Sequence, residues 1–124
     1  MDIHAITLFV EDLGACRTFY RTAFGLEVVY EDPVSAVFRF GPTLLNLLQA
    51  RDAFELIAPA RVGTGVRAVY TLQVDDVDAQ CATLGSRGVT LLNGPIDRPW
   101  GVRTAAFRDP AGHVWEVAAP AAAG

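Results

Sequence analysis

One carboxylate stands among the apolar residues near the end of this 124-residue chain, and it is the strongest candidate for chemistry. Glu116 follows Val114 and Trp115 in an alternating apolar stretch. A carboxylate in such surroundings acts as a general base, receives a cationic ligand, or enters an internal ion pair or hydrogen-bond network. Arg39 and Arg103 are the candidate ion-pair partners. The sequence leaves these alternatives open, and Glu116 is the one catalytic candidate that it offers.

Two histidines and two cysteines are the other residues with metal-binding or nucleophilic potential. Cys16 and Cys81 have neither CxxC spacing nor a flanking histidine, so we expect buried, reduced thiols. His4 and His113 are expected to be partly exposed packing or hydrogen-bonding residues. A β-bulge would be needed to turn either imidazole onto the face of its strand that carries the candidate site.

Alternating apolar residues and turn signals predict the elements that position these groups. Asp12 is a helix N-cap candidate, and Gly25 is a helix stop. The predicted strands are residues 3–10, 26–31, 34–40, 43–49, 67–74, 89–93, 102–108 and 113–118. One predicted helix lies between the cap Asp12 and the stop Gly25. The other is 76–86, and Gly88 follows it as a stop.

The order of these elements repeats, and so does part of the sequence. The segment 10–15, Val-Glu-Asp-Leu-Gly-Ala, returns 64 residues later as Val-Asp-Asp-Val-Asp-Ala, and 35–39 returns in similar form at 104–108. Neither copy is long enough to bury a good core alone. We therefore predict one α+β domain, residues 1–124, with two βαβββ modules: module one about 1–50, a linker about 51–65, module two about 66–118, and a frayed tail 119–124.

Composition excludes several classes of partner. The chain has 10 basic and 14 acidic residues, a net charge of −4, and no cluster of Lys or Arg, so nucleic acid is not expected as a partner. Neither a signal peptide nor an apolar run of the roughly 18 residues that span a bilayer is found. We expect no membrane partner and a cytoplasmic location.

The motifs of the chain resemble those of the vicinal oxygen chelate superfamily, which includes glyoxalases, dioxygenases and bleomycin resistance proteins. The shared markers are residues 10–13 leading to Phe19-Tyr20 and 24–26, and the turn 109–112 before the last strand. Residues 99–101, Pro-Trp-Gly, followed by Arg103 and 108–112, resemble the bleomycin resistance type most closely. The resemblance implies a pseudo-symmetric open barrel with helices outside, a concave ligand cleft, and a homodimer.

The resemblance also allows a test for a metal site. It implies metal ligands at positions 5, 46, 69 and 116, which are Ala5, Asn46, Val69 and Glu116 here. Alanine and valine cannot ligate a metal, and a divalent catalytic ion needs about three protein ligands. We therefore predict no metal site and no cofactor.

The remaining polar and aromatic residues of the expected concave face are typical of a small-molecule pocket. We predict a metal-independent binding protein that sequesters an aromatic or amphipathic ligand, as an antibiotic resistance protein does. The alternative is a metal-dependent lyase, isomerase or dioxygenase of the same superfamily, so enzymatic activity stays uncertain. The predicted ligand-binding residues are Phe9, Phe38, Asn46, Leu48, Thr71, Gln73, Trp100, Arg103 and Glu116.

Overall fold

Strand, helix and three further strands follow one another twice in the computed structural model, which describes residues 1–122. The chain divides into two units, Met1–Gly65 and Val66–Gly124. Each unit contains one four-stranded mixed sheet. The predicted α+β fold of two βαβββ modules is confirmed.

Unit 1 is built around a sheet of order β1-β4-β3-β2, in which β1 and β4 are parallel and the other pairs antiparallel. A short 3-10 turn and a one-turn helix lie in the segment predicted as a linker. The elements are β1 (Ala5–Val10), α1 (Leu13–Phe24), β2 (Val28–Glu31), β3 (Ser35–Phe40), β4 (Thr43–Gln49), the 3-10 turn (Ala50–Asp52) and α2 (Phe54–Ile57).

Unit 2 repeats this arrangement with the order β5-β8-β7-β6, and β5 is parallel to β8. Two strands of this unit extend beyond their predicted ends. Register irregularities carry β6 beyond the predicted residue 93, and β8 continues to Pro120, because Ala119 pairs with Arg103 and is buried. The elements are β5 (Val69–Gln73), α3 (Val77–Ser86), β6 (Leu91–Asp97), β7 (Val102–Arg108) and β8 (Val114–Pro120).

Both long helices begin at an aspartate, as the repeat predicts. Asp12 accepts a hydrogen bond from the Ala15 amide, and Asp76 accepts one from the Ala79 amide, each at 3.0 Å. These bonds satisfy amides that the first turn of a helix leaves unpaired. At the other end of α1, Gly25 has a φ of 67°, a conformation that a side chain disfavours.

Each helix packs on one face of the sheet of its own unit. In unit 1, Tyr20 of α1 packs on Phe38, with ring centroids 5.9 Å apart. In unit 2, Leu84 of α3, Phe107 and Val117 are almost fully buried. The other face of each sheet is not covered by α1 or α3 of the same unit. No helix within residues 1–122 has the length and apolar composition required to cross a membrane.

Candidate functional site

The sheet of unit 2 carries Glu116 on the face opposite α3, and we call this surface the Glu116 face. Directly paired residues of neighbouring strands share a face. Glu116 of β8 pairs with Thr71 of β5 and with Ala106 of β7, while Val117 points to the helix side. The Glu116 face therefore comprises Val69, Thr71, Gln73, Thr104, Ala106, Arg108, Val114, Glu116 and Ala118.

The Glu116 carboxylate is oriented by a neighbouring hydroxyl. Thr71 Oγ1 donates a hydrogen bond of 2.7 Å to Glu116 Oε1. Glu116 is half-buried and Thr71 is exposed, so the pair remains open to solvent. Among residues 1–122, no basic nitrogen lies within 4.0 Å of this carboxylate. The ion pair with Arg39 or Arg103 that the sequence suggested is not formed.

Arg103 was predicted to bind ligand, and the structure places its side chain on the helix side of the sheet, opposite the Glu116 face. Its Nε and Nη2 donate to the two carboxylate oxygens of Asp78, at 2.9 and 3.0 Å, and its Nη1 donates to Asp97 at 3.0 Å. The hydrogen bond from Arg103 holds the pKa of Asp78 below its ordinary value, and both carboxylates raise the pKa of Arg103. Arg103 thus ties the start of α3 to β6 and β7.

The structure places a second arginine, Arg98, at the Glu116 face, and the sequence did not reveal it. Its Nε donates to Thr104 Oγ1 at 2.9 Å, and its Nη2 donates to Asn93 Oδ1 at 3.3 Å. Thr104 belongs to this face, and Asn93 pairs with Ala106 of the same face. Arg98 follows the end of β6, where strand periodicity no longer indicates the direction of a side chain.

Phe38 was also predicted to bind ligand, and the structure places it on the helix side of its own sheet. Its side chain is 0% exposed and packs on Tyr20 of α1. The cause is the strand register, since Phe38 pairs with Leu45, which also faces the helix. Phe38 belongs to the core of unit 1.

The face of unit 1 opposite α1 brings together three of the predicted residues. Asn46 pairs with Thr7, and Phe9 pairs with Leu48 two residues further along the same strands. Asn46 Nδ2 donates to Thr7 Oγ1 at 3.4 Å. Asn46 Oδ1 is buried and has no hydrogen-bond partner in the described chain. A neutral amide therefore takes the place in unit 1 that Glu116 takes in unit 2.

The two tryptophans differ in their surroundings. Trp100 is 72% exposed in the turn between β6 and β7, where it remains available to a ligand or a partner. Trp115 is 3% exposed, and its ring centroid lies 5.1 Å from that of Tyr70. Trp115 is thus a core residue of unit 2. Gln73, the remaining predicted site residue, is exposed on the Glu116 face.

The two cysteines are unsuited to nucleophilic chemistry. Neither forms a disulfide; Cys16 is buried and Cys81 is partly buried. Burial, with the nearby Asp78 carboxylate, raises the pKa of the Cys81 thiol. A raised thiol pKa disfavours the reactive thiolate form.

A depression of about 590 Å³ lies at the outer strand of the unit 1 sheet. It is lined by Arg21 of α1 and by residues 26–31. It contains none of the residues that the sequence indicated as a site.

Comparison with known proteins identifies the family. The sequence model of the Glyoxalase/Bleomycin resistance protein/Dioxygenase superfamily matches residues 2–117. The chain belongs to this superfamily. Solved structures of other proteins with this fold extend the likeness over nearly the whole chain.

Three of these structures are informative for a member of the superfamily. Lactoylglutathione lyase from Agrobacterium tumefaciens is 27% identical, with 94% of this chain and 92% of that chain covered and a TM-score of 0.78. A glyoxalase/bleomycin resistance protein/dioxygenase from Nocardioides is 26% identical, with 100% and 86% covered and a TM-score of 0.82. TnmS3, an antibiotic binding protein from Streptomyces sp. CB03234, is 28% identical, with 98% and 97% covered and a TM-score of 0.75.

The side chains at the positions where the family resemblance implies metal ligands do not fit a divalent ion. Val69 lies on the Glu116 face, two residues before Thr71, and Ala5 holds the corresponding place in unit 1. Neither has a donor atom. Among residues 1–122, no three His, Cys, Asp or Glu side chains come together as a metal site requires.

The histidines do not replace the missing ligands. The β1–β4 and β5–β8 pairs run without a register shift over their paired residues, which begin one residue after His4 and one residue after His113. His4 is exposed before β1, and the His113 amide donates to Asp109 Oδ1 at 2.8 Å in the turn before β8.

Proposed function

We propose that this protein binds a small aromatic or amphipathic molecule without a metal ion, and that the Glu116 face is a binding surface. The observation that carries the proposal is the Thr71–Glu116 hydrogen bond of 2.7 Å on a face where the carboxylate has no basic partner within 4.0 Å among residues 1–122. A fixed carboxylate with an uncompensated charge is a recognition group for a cationic or hydrogen-bond-donating ligand.

The surroundings of Glu116 support binding of an apolar body with a polar anchor. Val69, on the same face, is 51% exposed and offers apolar contact area, whereas Val114 and Ala106 beside the carboxylate are buried. Small-molecule sites combine such apolar area with a few polar groups that fix the orientation of the ligand. The exposed ring of Trp100 would add planar contact area to a ligand bound at this unit.

The side chains favour binding over catalysis. Metal-assisted chemistry in this superfamily would need an ion, and the positions of Ala5 and Val69 supply no donor. TnmS3, which is 28% identical, is an antibiotic binding protein. This likeness supports the sequestration of a small molecule as the function.

One comparison favours a second candidate function. Lactoylglutathione lyase from Agrobacterium tumefaciens is 27% identical over 94% of this chain. A metal-dependent lyase, isomerase or dioxygenase, with Glu116 as a metal ligand or as a base, is therefore the alternative.

Titration with a planar cation tests the first proposal. Proflavine, bleomycin and the neutral dye N-phenyl-1-naphthylamine would be titrated by calorimetry and by quenching of tryptophan fluorescence. We expect saturable binding below millimolar concentration, and we expect E116Q to weaken proflavine about tenfold by removing a charged acceptor. E55Q, which removes an exposed acid on α2, is the matched control and should bind as wild type does. The absence of saturable binding for all three compounds would refute the proposal.

Metal analysis separates the two functions. The protein would be purified without chelator and its content of zinc, nickel, iron and manganese measured. We expect substoichiometric metal in wild type and in E116A. A stoichiometric ion that is lost in E116A would make the enzyme the better proposal.

The proposal includes a homodimer, as the family resemblance implies. It also includes a location in the cytoplasm, where the thiols of Cys16 and Cys81 would stay reduced. Sedimentation equilibrium would test the dimer, and a single species with the mass of one chain would contradict it.

A further inference from the structure

The guanidinium of Arg98 brings a positive charge to the Glu116 face and is held in a fixed position there. It donates to Thr104 Oγ1 at 2.9 Å and to Asn93 Oδ1 at 3.3 Å. Thr104 is 3% exposed, so the first of these bonds is shielded from solvent. Both acceptors are neutral, and the charge of Arg98 is therefore not compensated by them.

The pairing of Arg98 differs from that of the three arginines with an acidic partner at ion-pair distance. Arg17, Arg51 and Arg103 each lie within 4.0 Å of a carboxylate oxygen. Within residues 1–122, Arg98 has no carboxylate at that distance. A guanidinium has five N–H groups, and the two bonds of Arg98 use two of them. Three donors in a rigid planar fork remain for an acceptor from outside the chain.

Thr104, the acceptor that holds Arg98, and Glu116 lie at diagonal positions of one surface. Thr104, which holds Arg98, pairs with Ala118, and Ala118 lies two residues beyond Glu116 on β8. Diagonal neighbours on one face of a sheet are about 7–8 Å apart. Arg98 and Glu116 are thus within reach of the two ends of one small molecule.

We propose that Arg98 is a specificity-determining residue that binds an acidic group of the ligand, a carboxylate, sulfonate or phosphate on an aromatic body. The inference rests on the proposed binding function of the Glu116 face and adds the class of ligand. Arginine donates in parallel to both oxygens of such a group, and its two protein bonds reduce the entropy lost on binding. The preferred ligand carries an acid for Arg98 and a donor or cation for Glu116.

Two dyes that differ by one sulfonate test this inference. 1-Anilinonaphthalene-8-sulfonate carries the acidic group, and N-phenyl-1-naphthylamine has the same rings without it. We expect R98Q to weaken the sulfonate dye about tenfold, the range of a charge-assisted hydrogen bond, and to leave the neutral dye unchanged. R67Q removes an exposed arginine before β5 and is the matched control, with no change expected for either dye.

The outcomes separate the two proposals. If both dyes bind and R98Q changes neither affinity, the role of Arg98 is refuted while the proposed binding function stands. R108Q removes an exposed arginine of the same face. If R108Q weakens the affinity for the sulfonate dye as much as R98Q does, the overall charge of the face explains the selectivity. The role of Arg98 is then refuted as well. If neither dye shows saturable binding, the proposed function fails and the inference fails with it.

A measurement on the wild-type protein keeps the test independent of the folding of R98Q. Naphthalene-1-sulfonate and the neutral 1-naphthalenemethanol would compete against the bound sulfonate dye. We expect the acidic competitor to displace it at about tenfold lower concentration. Equal displacement by the two competitors would overturn the inference.

Discussion

The Thr71 hydroxyl donates a hydrogen bond of 2.7 Å to the Glu116 carboxylate across the parallel pair β5–β8. In unit 1, Thr7 and Asn46 occupy the corresponding positions on β1 and β4, and there the bond is 3.4 Å long and runs from the amide to the hydroxyl. The same strand geometry thus presents an acid in one unit and a neutral amide in the other.

Removal of the Thr71 hydroxyl should weaken cation binding, since it leaves the Glu116 carboxylate less well oriented. We expect T71V to bind proflavine about 3- to 10-fold more weakly than wild type, which corresponds to the net free-energy contribution of one hydrogen bond. Calorimetry would measure the affinity, with T7V as the control at the equivalent position of unit 1. Equal losses in T71V and T7V would contradict a specific role for the Thr71–Glu116 pair.

Truncation of Phe38 should affect stability and not binding, because this ring is fully buried against α1. We expect F38A to lower the free energy of unfolding by about 3–5 kcal/mol and F38L to lower it by less. Urea denaturation would measure the change. Folded F38L should bind proflavine as wild type does, and a specific loss of affinity in F38L would argue for ligand contact instead.

Gly94 should tolerate a side chain far less well than Gly88, although their φ angles are 85° and 86°. A Cβ on Gly94 would lie 2.5 Å from the Thr104 carbonyl oxygen, whereas a Cβ on Gly88 would have no neighbour within 4 Å among residues 1–122. We expect G88A to lose about 1–2 kcal/mol from the left-handed backbone. G94A should lose about 1–3 kcal/mol more from the steric clash. Thermal or urea unfolding that gave equal losses would show that β7 moves away from Gly94 without penalty.

The Arg103 ion pairs should contribute to stability in a pH-dependent way. The hydrogen bond from Arg103 lowers the pKa of Asp78 from its ordinary 3.8, so the stabilisation is present above about pH 4 and is lost as the pH falls through the lowered pKa. R103Q removes the cause. We expect wild type to exceed R103Q in unfolding free energy by a small amount at pH 7, because the pair is exposed, and the difference to shrink at pH 3. Urea denaturation at both pH values checks this, and a difference that grew on acidification would contradict the assignment.

Local signals were sufficient to predict much of the fold. Asp12 caps α1 and Gly25 ends it because each residue acts through its own backbone neighbourhood. The structure has the same cap at Asp76, 64 residues later, where the repeated segment begins the second helix. These features depend on residues only a few positions apart, and a single sequence contains that information.

The sequence did not indicate the face on which a side chain lies where its direction depends on a partner strand. Phe38 and Arg103 lie on the helix sides of their sheets because of pairing with Leu45 and Ala119. Alternation within one strand gives two faces but does not say which of them a neighbouring strand shares. Arg98 was missed because its direction is set by hydrogen bonds to Thr104 and Asn93, and no sequence period encodes such bonds.

Every sheet pairing among residues 1–122 joins strands of the same unit. The connection between α2 and β5, residues 58–68, contains no strand. A proteolytic nick in that connection would break no sheet hydrogen bond, and an exchange of whole units between two copies of the chain would break none either. Circular dichroism, which reports secondary structure, would therefore not distinguish a swapped assembly from an unswapped one.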